Sequence, residues 1–550
     1  MNGDNMKKSK NTKNKKDKRE KIHAKKKIQI DEKLIELEKI EKEKLEKKKK
    51  KFAIFFILWI CILGIGLVKK QFQNDTFYTI EIGELILNNG IDMMDHFSIH
   101  TLAYTYPHWL YDVFIYICYA IGGYTGIHIS SILLLLSILV TVFKLNTKIT
   151  NNYSISAFAT FICALAISGF ATARAQLASF LIFALQVYFI EMFLQNGKKR
   201  YLIGLLFLSW LVCNIHVAVW PFYFIVYLPY LAEYIISWLT SKIKIKKETK
   251  LIKFLKRKFI LEKNNNIKWL FGTMLLSGLT GLLTPIGLTP YTYMIKMSLS
   301  NAQEYVKEHQ MLTWINSPFT IIIAGETLFL SLISKVKLRD LFMVAGLTFM
   351  SIISVRHISL LALIGTICFS RVFTTFFDTF GFNVEKKILN WICRKKMAII
   401  SFIFVILLSA GIANYHLKSH FVDETFYPVE AVKYIKENIN IEEMRLFNEY
   451  NYGSYLLHHD IPVFIDSRAE LYTSEFSGLD YDIFDDYHYS PANYQEKFEF
   501  YNITHVMLYK KDNILYETIN EDDNYKIIYE DKYFVLYEKL KHLDYSITIQ

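Results

Sequence analysis

Asp75 stands in the stretch Gln73-Asn74-Asp75-Thr76-Phe77-Tyr78, and Asp95 in Met94-Asp95-His96-Phe97-Ser98, with Pro107-His108-Trp109-Leu110 shortly after. Further along, Arg174, Asn214, His216, Arg356 and His357 each fall at the end of an apolar run. Carboxylates take and return protons. Arginine offers a rigid fork of donors to phosphates and carboxylates. Ionisable residues at the ends of membrane spans are costly in lipid and often mark a site, although span ends are polar in any case. Near the C-terminus, Asp466-Ser467-Arg468 follows an apolar, strand-like run. Strand ends in α/β folds bind ligands, and an Asp–Arg pair there can equally pin the strand end.

The elements that must position these residues are mostly apolar helices. The chain has 550 residues, is 52% hydrophobic and 16% aromatic, and has a mean hydropathy of +0.20. A helix needs roughly 20 apolar residues to cross a bilayer core, and between residues 52 and 414 there are about 11 to 13 such runs with an odd parity. The fold class expected is a polytopic α-helical membrane protein, since only helices and closed barrels satisfy their own backbone in lipid. Three regions follow: a Lys-rich tail over 1–51, a membrane domain over 52–414 with a loop at 69–108, and a polar region over 415–550.

Charge orients the chain. The tail is packed with lysine, whereas residues 415–550 carry roughly two acids for each base. The tail reads as a cytoplasmic orientation signal and a contact for anionic lipid, and not as a nucleic-acid site. Basic clusters at Lys198-Lys199-Arg200, Lys242–Lys258, Lys335–Arg339 and Lys386–Lys396 belong on the same side as the tail. The loop 69–108 and the C-terminal region then fall outside, together with Asp75, Asp95, His96, His108, Arg174, Asn214, His216, Glu304, Glu308, His309, Arg356 and His357. Lys144 and Lys148 require an odd number of crossings in 109–144, where two candidate helices lie, so 109–122 is a juxtamembrane helix or one span is misread. The six cysteines all lie in or beside apolar runs, which excludes a disulfide-stapled exterior.

Residues 415–550 alternate short helices and strands: helices at 428–439, 452–459, 494–501 and 514–520, strands at 444–448, 462–466 and 504–509, and a hairpin over 525–538. This pattern predicts a small extracytoplasmic α/β domain.

Together these stretches resemble the GT-C superfamily of integral membrane glycosyltransferases, which includes the oligosaccharyltransferase catalytic subunit and the protein O-mannosyltransferases. The similarity is to a bacterial branch. It rests on Asp75, Phe77-Tyr78 and Gly83, then Asp95-His96-Phe97-Ser98, His108-Trp109-Leu110, Arg174-Ala175-Gln176, Asn214-Ile215-His216, Pro285-Ile286-Gly287 and Arg356. It continues into Gly453-Ser454-Tyr455-Leu456 and Asp466-Ser467-Arg468, and so covers most of residues 52–540.

The resemblance implies transfer of a sugar from a polyprenyl-phosphate donor to a glycan, lipid or protein acceptor on the outer face, with inversion. It implies Asp75 as the catalytic base and Asp95 as a second catalytic carboxylate that positions the acceptor or a metal. Asp95 reads equally well as a cap for a short turn through Ser98. Arg356 is the leading phosphate contact and Arg174 the second, with His216, His357, His108 and Asn214 assisting, and with Asp466 and Arg468 as candidates in the C-terminal domain. The loop 171–174 has no carboxylate, Trp-Trp-Asp is absent, and Thr76 follows Asp75 where the mannosyltransferases have Glu. These departures count against a divalent metal (Mg²⁺ or Mn²⁺), whose ligands would be Asp75 and Asp95. The alternatives are a polysaccharide ligase or polymerase, a non-catalytic scaffold, and a transporter. A transporter would use charges inside the spans, such as Glu191 or Glu326.

Overall fold

The computed structural model describes all residues except 1–3, 243–249, 261–263, 301–317, 355–356, 383, 393, 512 and 541–550. The first helix, α1 (Asp4–Leu67), joins the Lys-rich tail and the first apolar run in one continuous element. Next come α2 (Asn74–Asn89), α3 (Trp109–Thr150), α4 (Tyr153–Ile167), α5 (Ala175–Asn196) and α6 (Arg200–Ile215). Among the described residues, seven helices have the length and apolar composition to cross a membrane. Three shorter apolar helices, Arg200–Ile215, Ile267–Leu282 and Ile321–Ile333, extend the bundle, as does Leu338–Ile353. The helix Lys395–Leu417 leaves Ile399, Ile400, Phe404 and Leu407 uncovered, as a lipid-facing helix must.

The two candidate helices in 109–144 form one helix with a break. Within α3, Gly122 and Gly123 leave helical geometry, with Gly123 at φ +57°, a conformation that suits glycine. Gly126 then packs so closely on the Cys118 carbonyl that a Cβ would lie 2.1 Å from it. The two halves belong to different cores. Tyr111 and Ile115 join the core of α2 and the C-terminal domain, while Leu135, Ile138 and Val142 join the core of the bundle. The first half packs with α2 and the C-terminal domain, and the run after Gly123 packs within the bundle.

Gly83 explains how α2 seats on this first half of α3. A Cβ there would sit 2.1 Å from the Asp112 carbonyl, so the two helices meet backbone to backbone.

A buried ion cluster ties the bundle together. Arg371 reaches Glu191 at 2.7 Å and Asp340 at 2.9 Å, while Arg339 reaches Glu191 at 3.0 Å and Glu233 at 3.3 Å. All five side chains are buried. Glu191, the mid-span acid a transporter reading would use, is thus held by two arginines. Buried charges require such pairing.

The C-terminal domain is built on a four-stranded sheet in the order Leu446–Phe447, His505–Tyr509, Phe534–Lys539, Tyr525–Glu530. The first pair is parallel and the others are antiparallel. Its helices Val429–Asn438, Gly453–Leu457 and Ile514–Asn520 are close to the expected ranges, while Ile483–Phe500 starts eleven residues before the helix expected at 494–501. One expectation is corrected. Pro462–Asp466 is not a strand of this sheet. Val463 instead pairs with the 69–108 loop: the Val463 N–H donates to the Phe97 carbonyl at 3.1 Å, and the Ile99 N–H donates to the Val463 carbonyl at 2.9 Å. The apolar run is buried, as its composition demands, but the loop covers it.

His100 adds a titratable bond to this seam. Its Nε2–H donates to the Phe464 carbonyl at 3.0 Å. Burial pushes the imidazole down from 6.5 to about 4, with Arg445 adding to the effect. The folded pKa is depressed, so the detached seam takes up the proton first. Stabilisation by neutral His100 is therefore complete above pH 6.5 and is lost as the pH falls toward 4. In His100→Gln, which keeps a donor without titrating, thermal unfolding between pH 7 and 4.5 should show a shallower decline than in the wild type.

Candidate functional site

Asp75 lies in the first turn of α2, where the helix dipole favours a carboxylate. The start of α2 is fixed from two sides. Asn74 Nδ2 donates to the Tyr450 carbonyl of the C-terminal domain at 2.8 Å, and Thr76 Oγ1 donates to the Ala173 carbonyl at 3.2 Å. The second bond brings in the 171–174 loop and with it Arg174, the residue before α5. Arg174 and Asp75 form an ion pair at 2.7 Å, each about a quarter exposed (27% and 21%).

The pair faces a cavity of about 580 Å³ between the helical bundle and the C-terminal domain. The cavity also takes walls from His108, His216, His357 and Gln176. His216 Nδ1 shares a hydrogen bond with Ser179 Oγ at 3.0 Å, and its ring lies 4.9 Å from that of His108. Gln176 Nε2 donates to Ser359 Oγ at 3.1 Å. The His357 ring packs 4.7 Å from Phe222. Five of the residues singled out from sequence, drawn from five separate stretches, therefore line one space: Asp75, His108, Arg174, His216 and His357. Arg356 lies outside the described residues.

A second, apolar cavity of about 210 Å³ adjoins the first, with Phe222 and Leu360 forming walls of both. Val226, Pro229, Met343, Leu347 and Met350 line it. The second cavity is thus an apolar space between helices beside the first.

Other candidates sit elsewhere. The expectation that Asp95 shares a site with Asp75 is corrected, because Asp95 is buried and accepts from Arg468 Nη1 at 2.6 Å and from the Ser98 N–H at 2.9 Å. It caps the Ser98 turn and anchors the C-terminal domain. Burial pushes its carboxyl up, but the Arg468 guanidinium and the Ser98 bonds outweigh this and hold it below the usual carboxylate range. Arg468 also grips Asp466 through two parallel bonds, at 2.9 and 2.6 Å, and Tyr472 adds its hydroxyl to Asp466. Asp466 and Arg468 are thus an interdomain strut. Asn214 is buried as well: it accepts from Trp109 Nε1 at 2.9 Å and donates to the Trp210 carbonyl at 2.7 Å. It fixes Trp109, and neither residue lines the cavity.

The donor set does not fit a divalent cation at Asp75 and Asp95. One carboxylate pairs with Arg174 and the other is buried against Arg468. Among the described residues no three His, Cys, Asp or Glu side chains gather as a metal site would require.

The sequence reading missed the wall contributed by the C-terminal domain: Tyr450, Asn451, Ser467, Glu470, Tyr487 and His488. Glu470 accepts from the Tyr293 hydroxyl at 3.0 Å. The available signal was its place two residues after Arg468, in a segment already singled out.

This bundle of apolar helices, with a cavity beneath a small C-terminal sheet domain, has a counterpart of the same fold among solved structures. Among solved structures, the crystal structure of ArnT from Cupriavidus metallidurans, bound to undecaprenyl phosphate, is similar over 88% of this chain and 97% of that one. The TM-score is 0.51 and the identity 10%. At that identity the likeness is one of fold. No family model matches the sequence, and no curated protein matches it significantly.

Proposed function

We propose that this protein is a membrane glycosyltransferase that moves a sugar from a polyprenyl-phosphate donor to an acceptor on the outer face of the membrane. The observation that carries the reading is the Asp75–Arg174 pair in a cavity that shares the walls Phe222 and Leu360 with an apolar groove. A lipid-linked sugar needs both environments, a groove for its chain and cations for its phosphate. The similarly folded ArnT was crystallised with undecaprenyl phosphate, which supports the same class of donor here.

The chemistry asks little of the protein. Asp75 takes the proton of the acceptor as the acceptor attacks the anomeric carbon. The bond from that carbon to the phosphate oxygen breaks, and polyprenyl phosphate leaves with the electron pair. Arg174 stabilises the charge that develops on the departing phosphate. A guanidinium carries five donors, so pairing with Asp75 and holding a phosphate are compatible. A single displacement inverts the anomeric centre.

The test starts in the cell that makes the protein. Removing the protein should cause one lipid-linked sugar to accumulate. Purified full-length protein in liposomes should then consume that species and release free polyprenyl phosphate when given membranes from the deleted cell as acceptor. If no lipid-linked sugar accumulates and none is consumed, the reading fails.

A further inference from the structure

The membrane domain supplies Asp75, Arg174 and three histidines to the cavity, and the C-terminal domain supplies a different chemistry. Its wall presents Glu470, Ser467 and Asn451 beside the rings of Tyr450, Phe484 and Tyr487. Carboxylate, hydroxyl and amide groups beside aromatic faces match a pyranose ring, which carries hydroxyls around its edge and C–H groups on its faces. A donor held by a lipid tail enters from the bundle. This wall belongs to the C-terminal domain and not to the bundle, which leaves it to the acceptor. Building on the function proposed above, we propose that Glu470 binds the hydroxyls of a glycan acceptor and that the C-terminal domain forms the acceptor subsite.

Three observations support this. Glu470 belongs to the short 3₁₀ turn Ala469–Tyr472, which starts directly after Arg468. That turn is fixed at both ends by buried groups: Arg468 by Asp95 and Asp466, and Tyr472 by its hydroxyl bond to Asp466. Such bracing is what a binding carboxylate needs to hold its geometry. Across the cavity, the Tyr293 hydroxyl donates to Glu470 Oε1 at 3.0 Å and fixes the rotamer. Finally, the Tyr450 phenol is raised well above its usual range, first by burial and then by the charges of Asp75 and Glu470 together. The two carboxylates therefore act on one space from different domains. The early second acid missing from the 171–174 loop has a counterpart more than 290 residues later in the chain.

The probe is the membrane fraction of cells lacking the protein, which retains the unmodified acceptor, with the accumulated lipid-linked sugar as donor. Glu470→Gln in the full-length protein should raise the half-saturating amount of acceptor about tenfold while moving that of the donor less than twofold. Glu470→Asp should recover part of the loss. Tyr293→Phe, which leaves the carboxylate in place, should raise acceptor half-saturation a fewfold. Periodate treatment of the membranes, which cleaves sugar diols, should abolish acceptance, whereas protease treatment should not. Unchanged acceptor saturation in Glu470→Gln, or a fall in maximal rate alone, overturns the subsite. Acceptance destroyed by protease and spared by periodate overturns the glycan assignment in favour of a protein. A wild-type protein that consumes no donor overturns the proposed function and this subsite with it. Donor consumption by the wild type with an indifferent Glu470→Gln overturns the subsite alone.

Discussion

Asp75→Asn is expected to lower sugar transfer from the lipid-linked donor on the order of 10²- to 10⁴-fold, the usual worth of a positioned base. The substitution is nearly isosteric, and the amide oxygen can still accept from Arg174, so the 2.7 Å approach survives with its charge removed. The amide cannot take a proton from the acceptor. It also leaves the Arg174 cation without its balancing carboxylate, which should favour the anionic phosphate. Donor binding is therefore expected to hold or tighten while turnover collapses, a split that separates a lost base from a lost binding residue. The fold should be indifferent. Asp75 is partly exposed, and α2 is anchored by Asn74, Thr76 and the Gly83 contact. Transfer assays, undecaprenyl phosphate binding and protease protection of the inserted protein would measure the three effects. Full transfer activity in this variant would sink Asp75 as the base.

The sequence made some of this arrangement legible for physical reasons. Apolar runs and lysine clusters report which end of the bundle each loop occupies, so alternation put Asp75, His108, Arg174, His216 and His357 on one face, but it put Asp95 and Asn214 there too and could not say which of them share a cavity. The hairpin Tyr525–Glu530 and Phe534–Lys539 was legible because its period and its turn are local. Partners that are distant in the chain were not. Pro462–Asp466 carries the pattern of a buried strand, and nothing local says that a loop more than 360 residues earlier will cover it. Asp95 shows the same limit. Its Asp-x-x-Ser spacing gave the turn to Ser98, but the choice between catalysis and anchoring depended on Arg468, which lies 373 positions away. Glu470 went unread because its one local mark, a place two residues after Arg468, does not set it apart from the other acids of an acidic domain. Only its delivery into the cavity distinguishes it.

Arg468 is where the two halves of the molecule are most exposed to a single change. Its guanidinium lies between Asp95 of the loop and Asp466 of the C-terminal domain, with side chains 0 to 2% exposed. It also packs near the rings of Phe97 and Tyr104. Arg468→Met fills similar space but strands two carboxylates in a dry seam. Breaking a buried pair in this way costs about 3–5 kcal/mol, enough to loosen the C-terminal domain even though it also shares an apolar core with α2 and the first half of α3. The expected result is a lower unfolding temperature and rapid protease release of residues 415–550 from otherwise inserted protein. Sugar transfer should fall as well, since Glu470 loses its brace. The sign of the pH effect discriminates further. Once the cation is gone, burial is left to raise the Asp95 carboxyl, so lowering the pH lets it protonate and the deficit against wild type should shrink. Arg468→Lys should rescue little, because a point charge cannot reproduce the fork that grips both acids. Replacing Asp95, Asp466 and Arg468 together with apolar residues of similar volume should restore much of the docking, since a fully removed buried triad is often neutral. If that triple variant docks and Arg468→Met does not, the seam depends on charge balance. If Arg468→Met docks as well as the wild type, the strut is not what joins the C-terminal domain to the loop.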